Sequence, residues 1–332
     1  MVVELKASFD EASNIRWARS LEDAGVQVFH GLVGLKTHAK LALVVRQDPD
    51  GKIRRYAHLG TGNYNPSTAR YYTDFSLLTC DETITASVND VFNFLTAYAE
   101  QPNYKPLFVA PRDLAKNCIA LIDREARNAK RGRQARITVK VNALVDPPVI
   151  QALYRASQAG VEIDLIVRGQ SALVLGLRGI SSRIRVRSIV GRFLEHSRIF
   201  YFENAGDPEI YLGSADWMQR NLYERVEVLF PLKDPVLRRR IANEILPVYL
   251  ADTRSARLLG ADGKYFRPRA SRNGHGMSAQ EQLMRAARLP ASAFDTSARK
   301  TKRNIHGAAY TSSAGDDPTA ESASQDSLNA SV

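Results

Sequence analysis

The sequence contains one strand–helix–strand pattern twice, and this repeat constrains the fold more than any other feature. In the first copy, VVELKA is followed by Asp10, the helix EASNIRWARSLEDA and the strand VQVFH. In the second copy, ITVKVNALV is followed by Asp146, the helix PPVIQALYRASQA and the strand VEIDLIV. An aspartate can cap each helix, and Ala-Gly-Val follows each. The pattern predicts parallel strand pairs with right-handed crossovers, and therefore an α/β protein.

The repeat continues into two segments that carry a histidine and a base two residues apart. VGLKTHAKLALVV contains His38 and Lys40, and VGRFLEHSRIFYF contains His196 and Arg198. Each segment reads as a strand, in which residues two apart point to the same face. One His-x-Lys would be weak evidence, because many histidines are satisfied core residues. Two copies in the same order indicate a functional site.

A turn of small residues and then an acidic strand follow each of these segments. The turns are HLGTGNYN and YLGSADWM, which can point backbone N–H groups inward, and the strands carry Asp74 and Glu227. A carboxylate next to an imidazole fixes its tautomer, so we expect Asp74 to pair with His38 and Glu227 with His196. For either carboxylate, a surface salt bridge is the alternative.

If the two halves face each other, both imidazoles meet within a ring of cations. A neutral imidazole nitrogen can attack phosphorus, and the second histidine can protonate the leaving oxygen. Cations and turn amides would stabilise the charged oxygens. The candidates for the cations are Lys40, Arg198, Arg168 and Arg225.

The sequence lacks the other familiar phosphate-handling motifs. It has no G-x-x-x-x-G-K-[ST] loop, no kinase H-R-D or D-F-G set, no G-x-G-x-x-G after the first strand and no Cys/His cluster with metal-ligand spacing. It also has no apolar run long enough to span a membrane and no signal-peptide pattern, and its two cysteines fit a reducing cytoplasm. The net charge of +11 favours an anionic partner. Because the familiar phosphate-handling motifs are missing, any phosphoryl transfer must depend on the histidines.

The C-terminal stretch differs in composition from the remainder of the chain. From residue 271 it is rich in Ala, Ser, Asn and Asp, which predicts a mostly disordered tail with one short helix at Ala279–Leu289. The tail has seven Lys/Arg and six Asp/Glu, so nearly all the excess positive charge lies in residues 1–270.

The paired histidine motifs resemble those of the phospholipase D superfamily. More closely, KTHAKLALV, YAHLGTGNYNPSTARYYTDFSLLT, SIVGRFLEHSRIFYFEN and SADWMQRNL resemble the C-terminal half of bacterial polyphosphate kinases, over residues 2 to 270. The resemblance implies two phospholipase D-like α/β domains, at 1–105 and 106–270, each a mixed sheet flanked by helices. It implies reversible transfer of the terminal phosphate of ATP to polyphosphate, with Mg²⁺ as cofactor.

The resemblance also assigns roles to single residues. It implies that His38 is the phosphohistidine nucleophile, that His196 is the second catalytic histidine, and that Tyr72 and Arg168 contact the nucleotide. From the sequence alone, without the resemblance, Tyr72 could equally be an exposed aromatic residue at the start of a strand. Arg168 follows a strand of the second repeat, at the sheet edge where α/β proteins bind ligands.

The sequence departs from the family pattern at its N-terminal end. The family's ARFDE is ASFDE here, so Ser8 replaces an arginine that helps to hold phosphate and Mg²⁺. A second such arginine and two N-terminal domains would precede Met1, which leads us to expect weak activity and an incomplete adenine pocket. The expected partners are ATP or ADP and polyphosphate, with a homo-oligomer or a separate N-terminal half left open.

Two rival functions remain open at this stage. A phospholipase D-like phosphodiesterase is disfavoured, because its usual Asp after the lysine falls in the apolar stretch LALVVRQD. A non-catalytic polyanion-binding module is favoured by the basic charge and by Ser8. We expect no specific nucleic acid ligand, since neither stacking platforms nor a recognition helix is evident. The expected location is the cytoplasm, with peripheral attachment to the inner membrane left open.

Overall fold

Short strands alternate with helices along the chain. The structure is a computed structural model, and it describes residues 1–4, 11–97, 99, 103–268 and 276–288. The first half contributes α1 (Glu11–Asp23), β1 (Lys36–Thr37), β2 (Lys40–Gln47), β3 (Ile53–Gly60), α2 (Pro66–Ala69), β4 (Tyr72–Thr73), β5 (Ser76–Thr79) and α3 (Glu82–Ala97). The second half contributes β6 (Phe108–Ala110), α4 (Leu114–Lys130), β7 (Arg136–Val141), α5 (Pro147–Gln158), β8 (Glu162–Val167), β9 (Ile184–Ile189), β10 (Leu194–Glu195), β11 (Arg198–Phe202), β12 (Glu209–Gly213), α6 (Gln219–Tyr223), β13 (Arg225–Pro231), α7 (Pro235–Arg240), α8 (Leu246–Leu250), β14 (Ala256–Leu259), β15 (Tyr265–Phe266) and α9 (Ala279–Ala287). A 3₁₀ turn at Asn204–Gly206 precedes β12, and a π-helical segment at Ile241–Ile245 joins α7 to α8.

The second copy of the strand–helix–strand pattern forms as predicted. β7 and β8 are parallel and α5 connects them. The carboxylate of Asp146 accepts a hydrogen bond from Val149 N at 3.1 Å, which caps α5, and Gly160 leaves the helix with a φ of 102°. That φ lies in the left-handed region, where glycine has no Cβ penalty.

The first copy is less regular. The predicted helix forms as α1, but the described residues around it show only one parallel bridge, between Val2 and Phe29, in place of two full strands. Residues 5–10, which include the predicted cap Asp10, lie outside the described residues.

A large mixed sheet organises the second half. In the described residues its strands run in the order β1-β13-β12-β11-β7-β8-β9-β14-β15, with β6 also paired to β13. β7, β8 and β9 are parallel, whereas the neighbours of β11, β12 and β13 within this half are antiparallel. Apolar side chains of α4 and α5 cover one face, and those of α3 and α8 cover the other. The predicted α/β class, with sheet flanked by helices, is confirmed.

The two halves are interlocked by short strands. β2, β3 and β5 form a separate antiparallel sheet in the first half, but β1 joins the large sheet beside β13. β4 pairs in parallel with β10, which belongs to the second half. The domain limits at 105 and 106 stay a prediction.

The helix predicted inside the C-terminal stretch is confirmed as α9. The hydroxyl of Ser278 caps it through Glu281 N, and Ala279 and Gln280 are buried. The remainder of the predicted disordered tail, from residue 289, lies outside the described residues, as do residues 269–275. Among the described helices, none is both long and apolar enough to cross a membrane.

Candidate active site

His38 lies where the chain leaves one sheet and enters another. β1 ends at Thr37, on the edge of the large sheet, and β2 begins at Lys40, in the small one. The amides of His38 and Ala39 both donate to the carbonyl of Val226, at 2.9 Å each. The prediction of one continuous strand was therefore wrong. A break between sheets lets the imidazole reach residues of the other half.

His196 occupies the equivalent break in the second half. β10 ends at Glu195 and β11 begins at Arg198, and the amide of Ser197 donates to the carbonyl of Thr73 at 2.8 Å. The two histidines thus have the same local architecture, each anchored to a strand of the opposite half.

Each histidine pairs with the carboxylate of the other half, which reverses the predicted pairing. Nδ1 of His38 lies 2.8 and 2.9 Å from the two carboxylate oxygens of Glu227. Nδ1 of His196 lies 2.9 and 3.0 Å from those of Asp74. The reason is strand register: Thr37 pairs with Val226 and Glu195 pairs with Thr73, so the next residues meet across the two halves.

The pairing fixes the tautomer of both rings. A carboxylate accepts, so each Nδ1 carries the proton and each Nε2 carries the lone pair. The Nε2 of His196 accepts a hydrogen bond from Nη1 of Arg198 at 3.1 Å. The side chain of His38 is 21% exposed and that of His196 is 10% exposed, so His38 is the more accessible ring.

The two carboxylates are themselves held in place. Glu227 is fully buried and accepts from Nδ2 of Asn221 at 2.5 Å. Asp74 accepts from the hydroxyl of Thr61 at 2.6 Å. A Cβ at Gly62 would lie 2.4 Å from the Asp74 carboxyl group, so the turn needs a glycine there to let Asp74 approach.

In the two small-residue turns, the hydroxyl of Thr61 donates to Asp74 and the hydroxyl of Ser214 is a hydrogen-bond partner of Glu227. The amide of Thr61 donates to the carbonyl of Phe75, and that of Ser214 donates to the carbonyl of Val228. For these two residues the inward-facing amide prediction was wrong.

Lys40 and Arg198 are buried basic residues next to the histidines. Lys40 Nζ donates to the carbonyl of His38, and burial lowers the pKa of this ammonium to about 7. Arg198 is held by a two-point contact with the carboxylate of Asp216, at 3.2 and 3.0 Å. Such a fork fixes the guanidinium plane and leaves it charged.

Both histidines are neutral near pH 7. Burial is the largest cause that lowers the pKa of His38, with Lys40 and Arg198 acting in the same direction and Glu227 opposing them. Burial likewise lowers the pKa of His196 to about 4, again with help from both cations and against Asp74. Since the same two cations act on both rings, the two halves share one electrostatic site.

The other predicted substrate-binding residues lie around this pair. The ring of Tyr72 lies 4.8 Å from that of His196, centroid to centroid. Arg168 follows β8, and its Nε is buried without a hydrogen-bond partner among the described residues. Burial lowers the pKa of Arg168 and of Arg225, and Asp216 acts on both guanidinium groups with the opposite sign. Tyr72 therefore contacts His196, and both arginines lie within electrostatic range of Arg198 and Asp216.

Several residues of the site were missed by sequence reasoning. Asp216 and Thr61 lie inside turns that were read only as small-residue segments, and their counterpart positions in the repeat were the available signal. Asn221 lies in the motif SADWMQRNL but was given no role, and Lys140 has no equivalent motif in the other copy.

The described residues show no cage for a metal ion. Among them, no group of three or more His, Cys, Asp or Glu side chains is placed to hold one, and both site carboxylates already bind imidazoles. Ser8, where the family arginine is replaced, lies outside the described residues.

Fold and site together define an α/β protein with two carboxylate-paired histidines, one from each copy of an internal repeat. Family profiles match almost all of the described chain: "Polyphosphate kinase C-terminal domain 1" at residues 1–101 and "Polyphosphate kinase C-terminal domain 2" at residues 107–280. The chain belongs to the polyphosphate kinase family.

Individual relatives agree with this assignment. Polyphosphate kinase 1 of Chlorobaculum tepidum is 55% identical over 265 residues, which cover 80% of this chain and 38% of the relative. The polyphosphate kinase of Pseudomonas aeruginosa is 50% identical over 289 residues, or 87% of this chain and 42% of the relative. The crystal structure of the Porphyromonas gingivalis polyphosphate kinase superposes with a TM-score of 0.78 at 39% identity, and covers 86% of this chain and 43% of that one. The chain thus spans about two fifths of the length of these relatives.

Proposed function

We propose that this chain carries the phosphotransferase centre of a polyphosphate kinase, which moves the terminal phosphate of ATP to polyphosphate through a phosphohistidine on His38. The observation that carries the proposal is the pairing of Nδ1 of His38 with Glu227, which leaves Nε2 as a nucleophile. The low pKa of the ring keeps that nitrogen unprotonated at neutral pH.

In the first step, Nε2 of His38 attacks the γ-phosphorus of ATP. The bond from that phosphorus to the β,γ-bridging oxygen breaks, and ADP leaves with a proton supplied by His196. Glu227 holds the proton on Nδ1 of His38 and stabilises the cationic ring that forms. Asp74 does the same for His196.

In the second step, a terminal oxygen of polyphosphate attacks the phosphohistidine. The N–P bond breaks, the chain grows by one phosphate, and His196 takes up the proton of the attacking oxygen. Both steps have the same chemistry at phosphorus, so the overall reaction runs in either direction. The acceptor of the phosphoryl group is then either ADP or polyphosphate.

The acid role of His196 depends on the substrate. In the protein alone, burial and two cations hold its pKa at about 4, so the ring is neutral at pH 7. A polyanionic ligand reverses the sign of the local field and raises that pKa toward neutrality. His196 then becomes protonated only when substrate is present.

The buried cations stabilise the charge that spreads over the phosphoryl oxygens. Phosphoryl transfer depends mostly on positioned positive charge, and Arg198, Arg168 and Lys40 surround the histidines. Mg²⁺ commonly binds through substrate phosphates, so it would enter with the nucleotide.

The test is ATP formation from ADP and polyphosphate, together with polyphosphate synthesis from ATP, measured for the chain, for His38→Gln and for His196→Gln. We expect no transfer in either direction for His38→Gln, and a loss of roughly 10²–10⁴-fold for His196→Gln, the range for general acid–base catalysis. Equal rates in the chain and in His38→Gln would disprove the proposal. Hydrolysis of a simple phosphodiester without transfer would favour a phosphodiesterase instead.

A further inference from the structure

A buried carboxylate with no part in the mechanism lies directly beside His196. Glu195 is 2% exposed and accepts from Lys140 Nζ at 3.1 Å, Gln280 Nε2 at 2.8 Å and Thr73 Oγ1 at 3.0 Å. The hydroxyl of Tyr249 is a further hydrogen-bond partner of this carboxylate. We call Glu195, Lys140, Gln280 and Thr73 the Glu195 cluster. It satisfies a buried charge that would otherwise be unfavourable.

The cluster spans the joint that brings His196 to Asp74. Glu195 and Thr73 are paired residues of the β10–β4 ladder, and the histidine and the aspartate directly follow the two strands. That ladder has only two residue pairs, so few backbone hydrogen bonds fix its register. The side-chain bond between Glu195 and Thr73 crosses the same joint.

Gln280, which lies outside the repeat, holds β10 in place beside β4. Its amide group donates to the carbonyl of Phe193 at 2.9 Å and accepts from the amide of Phe193 at 3.0 Å, as a strand neighbour would. The same Nε2 donates to Glu195. Gly191 lets the side chain come this close, because a Cβ there would lie 2.6 Å from Gln280 Oε1.

The helix that carries Gln280 is itself anchored to the core. Asp252 accepts from the amide of Ala279 at 2.7 Å, and its other oxygen accepts from the amides of Ser255 and Ala256. Gln280 is thus presented to β10 from a fixed position, on the short helix that the sequence predicted within the C-terminal stretch.

Lys140 holds the opposite side of Glu195. It is buried, donates to Ser197 Oγ at 2.8 Å and lies 5.1 Å from the ring centre of Tyr249. Ser197 directly follows His196, so the ammonium contacts the residues on both sides of the histidine.

We propose that Gln280 is a positioning residue, which acts through Glu195 and Thr73 to hold His196 in contact with Asp74. The inference rests on the proposed function of His196, but the contact itself can be observed without activity. Loss of Gln280 should let the short ladder shift. His38 and Glu227 lie at the other joint and should be unaffected.

The test uses Gln280→Ala, with Gln282→Ala as the matched control, because Gln282 is an exposed glutamine on the same helix. Gly191→Ala is a milder second variant, which displaces the Gln280 amide without removing it and covers the case in which Gln280→Ala does not fold. The first measurement is the ¹⁵N spectrum of labelled histidines, which reports the tautomer of each ring. We expect mixed tautomers for His196 in Gln280→Ala and Gly191→Ala, with an unchanged His38 signal.

The second measurement is a double-mutant cycle on the rate of phosphate transfer. We expect Gln280→Ala to lower turnover by about 10- to 100-fold with KM for ATP nearly constant, since small misplacements of catalytic groups have effects of this size. In an Asp74→Asn background the further loss should be small, whereas in a Glu227→Gln background it should persist in full.

The outcomes separate the two proposals. An inactive wild-type chain would contradict the proposed function, and the histidine spectrum would still test the positioning role. An unchanged His196 tautomer in both variants, or an equal loss in both backgrounds, would overturn the role of Gln280.

Discussion

Glu227 and His38 are 189 positions apart and belong to opposite copies of the repeat, yet the glutamate oxygen lies 2.8 Å from Nδ1 of the histidine. The mirror-image contact joins Asp74 to His196 over 122 positions. Neither half can orient its own histidine. The site therefore exists only when the two halves are assembled.

The crossed pairing predicts that Glu227, not Asp74, affects the phosphorylation of His38. Glu227→Gln removes the negative charge opposite Nδ1–H of His38 and replaces one of the two accepting oxygens by an NH₂ donor, so we expect the rate of His38 phosphorylation by ATP to fall by about 10²-fold or more. Glu224→Gln is the matched control, because Glu224 is exposed in the same segment. Rapid-quench labelling with γ-labelled ATP measures the rate. A Glu227→Gln chain that labels as fast as Glu224→Gln would refute the pairing.

The low pKa of His196 predicts a stability that depends on pH. Its pKa falls from an ordinary value of 6.5 to about 4 on folding, so the unfolded chain binds more protons between these values. The free energy of unfolding should therefore decrease as pH falls from 6.5 to 4, by about 3 kcal/mol from this group.

Urea unfolding at several pH values, compared with His196→Gln, isolates that contribution from the carboxylates that also titrate. The slope of unfolding free energy against pH should be shallower in the variant. The same slope in both proteins would show that His196 is not buried in its neutral form.

The close approach of Asp74 to Gly62 predicts that a substitution at this glycine lowers turnover, although glycine bears no functional group. Gly62→Ala places a Cβ 2.4 Å from the Asp74 carboxyl group, which must then move away from His196. We expect turnover to drop by at least about 10-fold, because orientation is lost although every catalytic side chain remains. A crystal structure or histidine spectrum of the variant should show the broken contact. Wild-type turnover would mean that Asp74 can shift without consequence.

Arg168 predicts a specific loss of nucleotide affinity. Its buried Nε has no hydrogen-bond partner among the described residues, so this donor is not committed to a protein acceptor. We expect Arg168→Gln to raise KM for ATP by about 10-fold or more, the effect of losing one charge-assisted hydrogen bond. Arg178→Gln changes an exposed arginine in the following loop and should leave KM unchanged. Equal KM values would remove Arg168 from the nucleotide site.

Much of the fold follows from local sequence rules. The second strand–helix–strand unit, with the Asp146 cap and Gly160 exit, formed as predicted because all its signals lie in the one continuous stretch 136–167. The two histidines and their basic neighbours were recognisable because they recur in order. The helix α9 was predicted from its own short pattern.

The crossed pairing could not be read from order along the chain. It depends on the pairing of β1 with β13 and of β4 with β10, which are two-residue ladders between distant segments. Each histidine precedes its own half's carboxylate in sequence, so proximity along the chain favoured the wrong partner. Lys140 and Gln280 were missed for the same reason, since each gains its role from a contact that spans at least 55 residues.

The central claim is that His38 carries the phosphate, and covalent labelling tests it most directly. The chain is incubated with γ-labelled ATP and Mg²⁺, then digested, and the labelled peptide is sequenced by mass spectrometry; His38→Ala and His58→Ala are treated in parallel. The account predicts an acid-labile, base-stable label on His38 that is absent from His38→Ala and retained in His58→Ala. A label on another residue, or one that persists in His38→Ala, would contradict it.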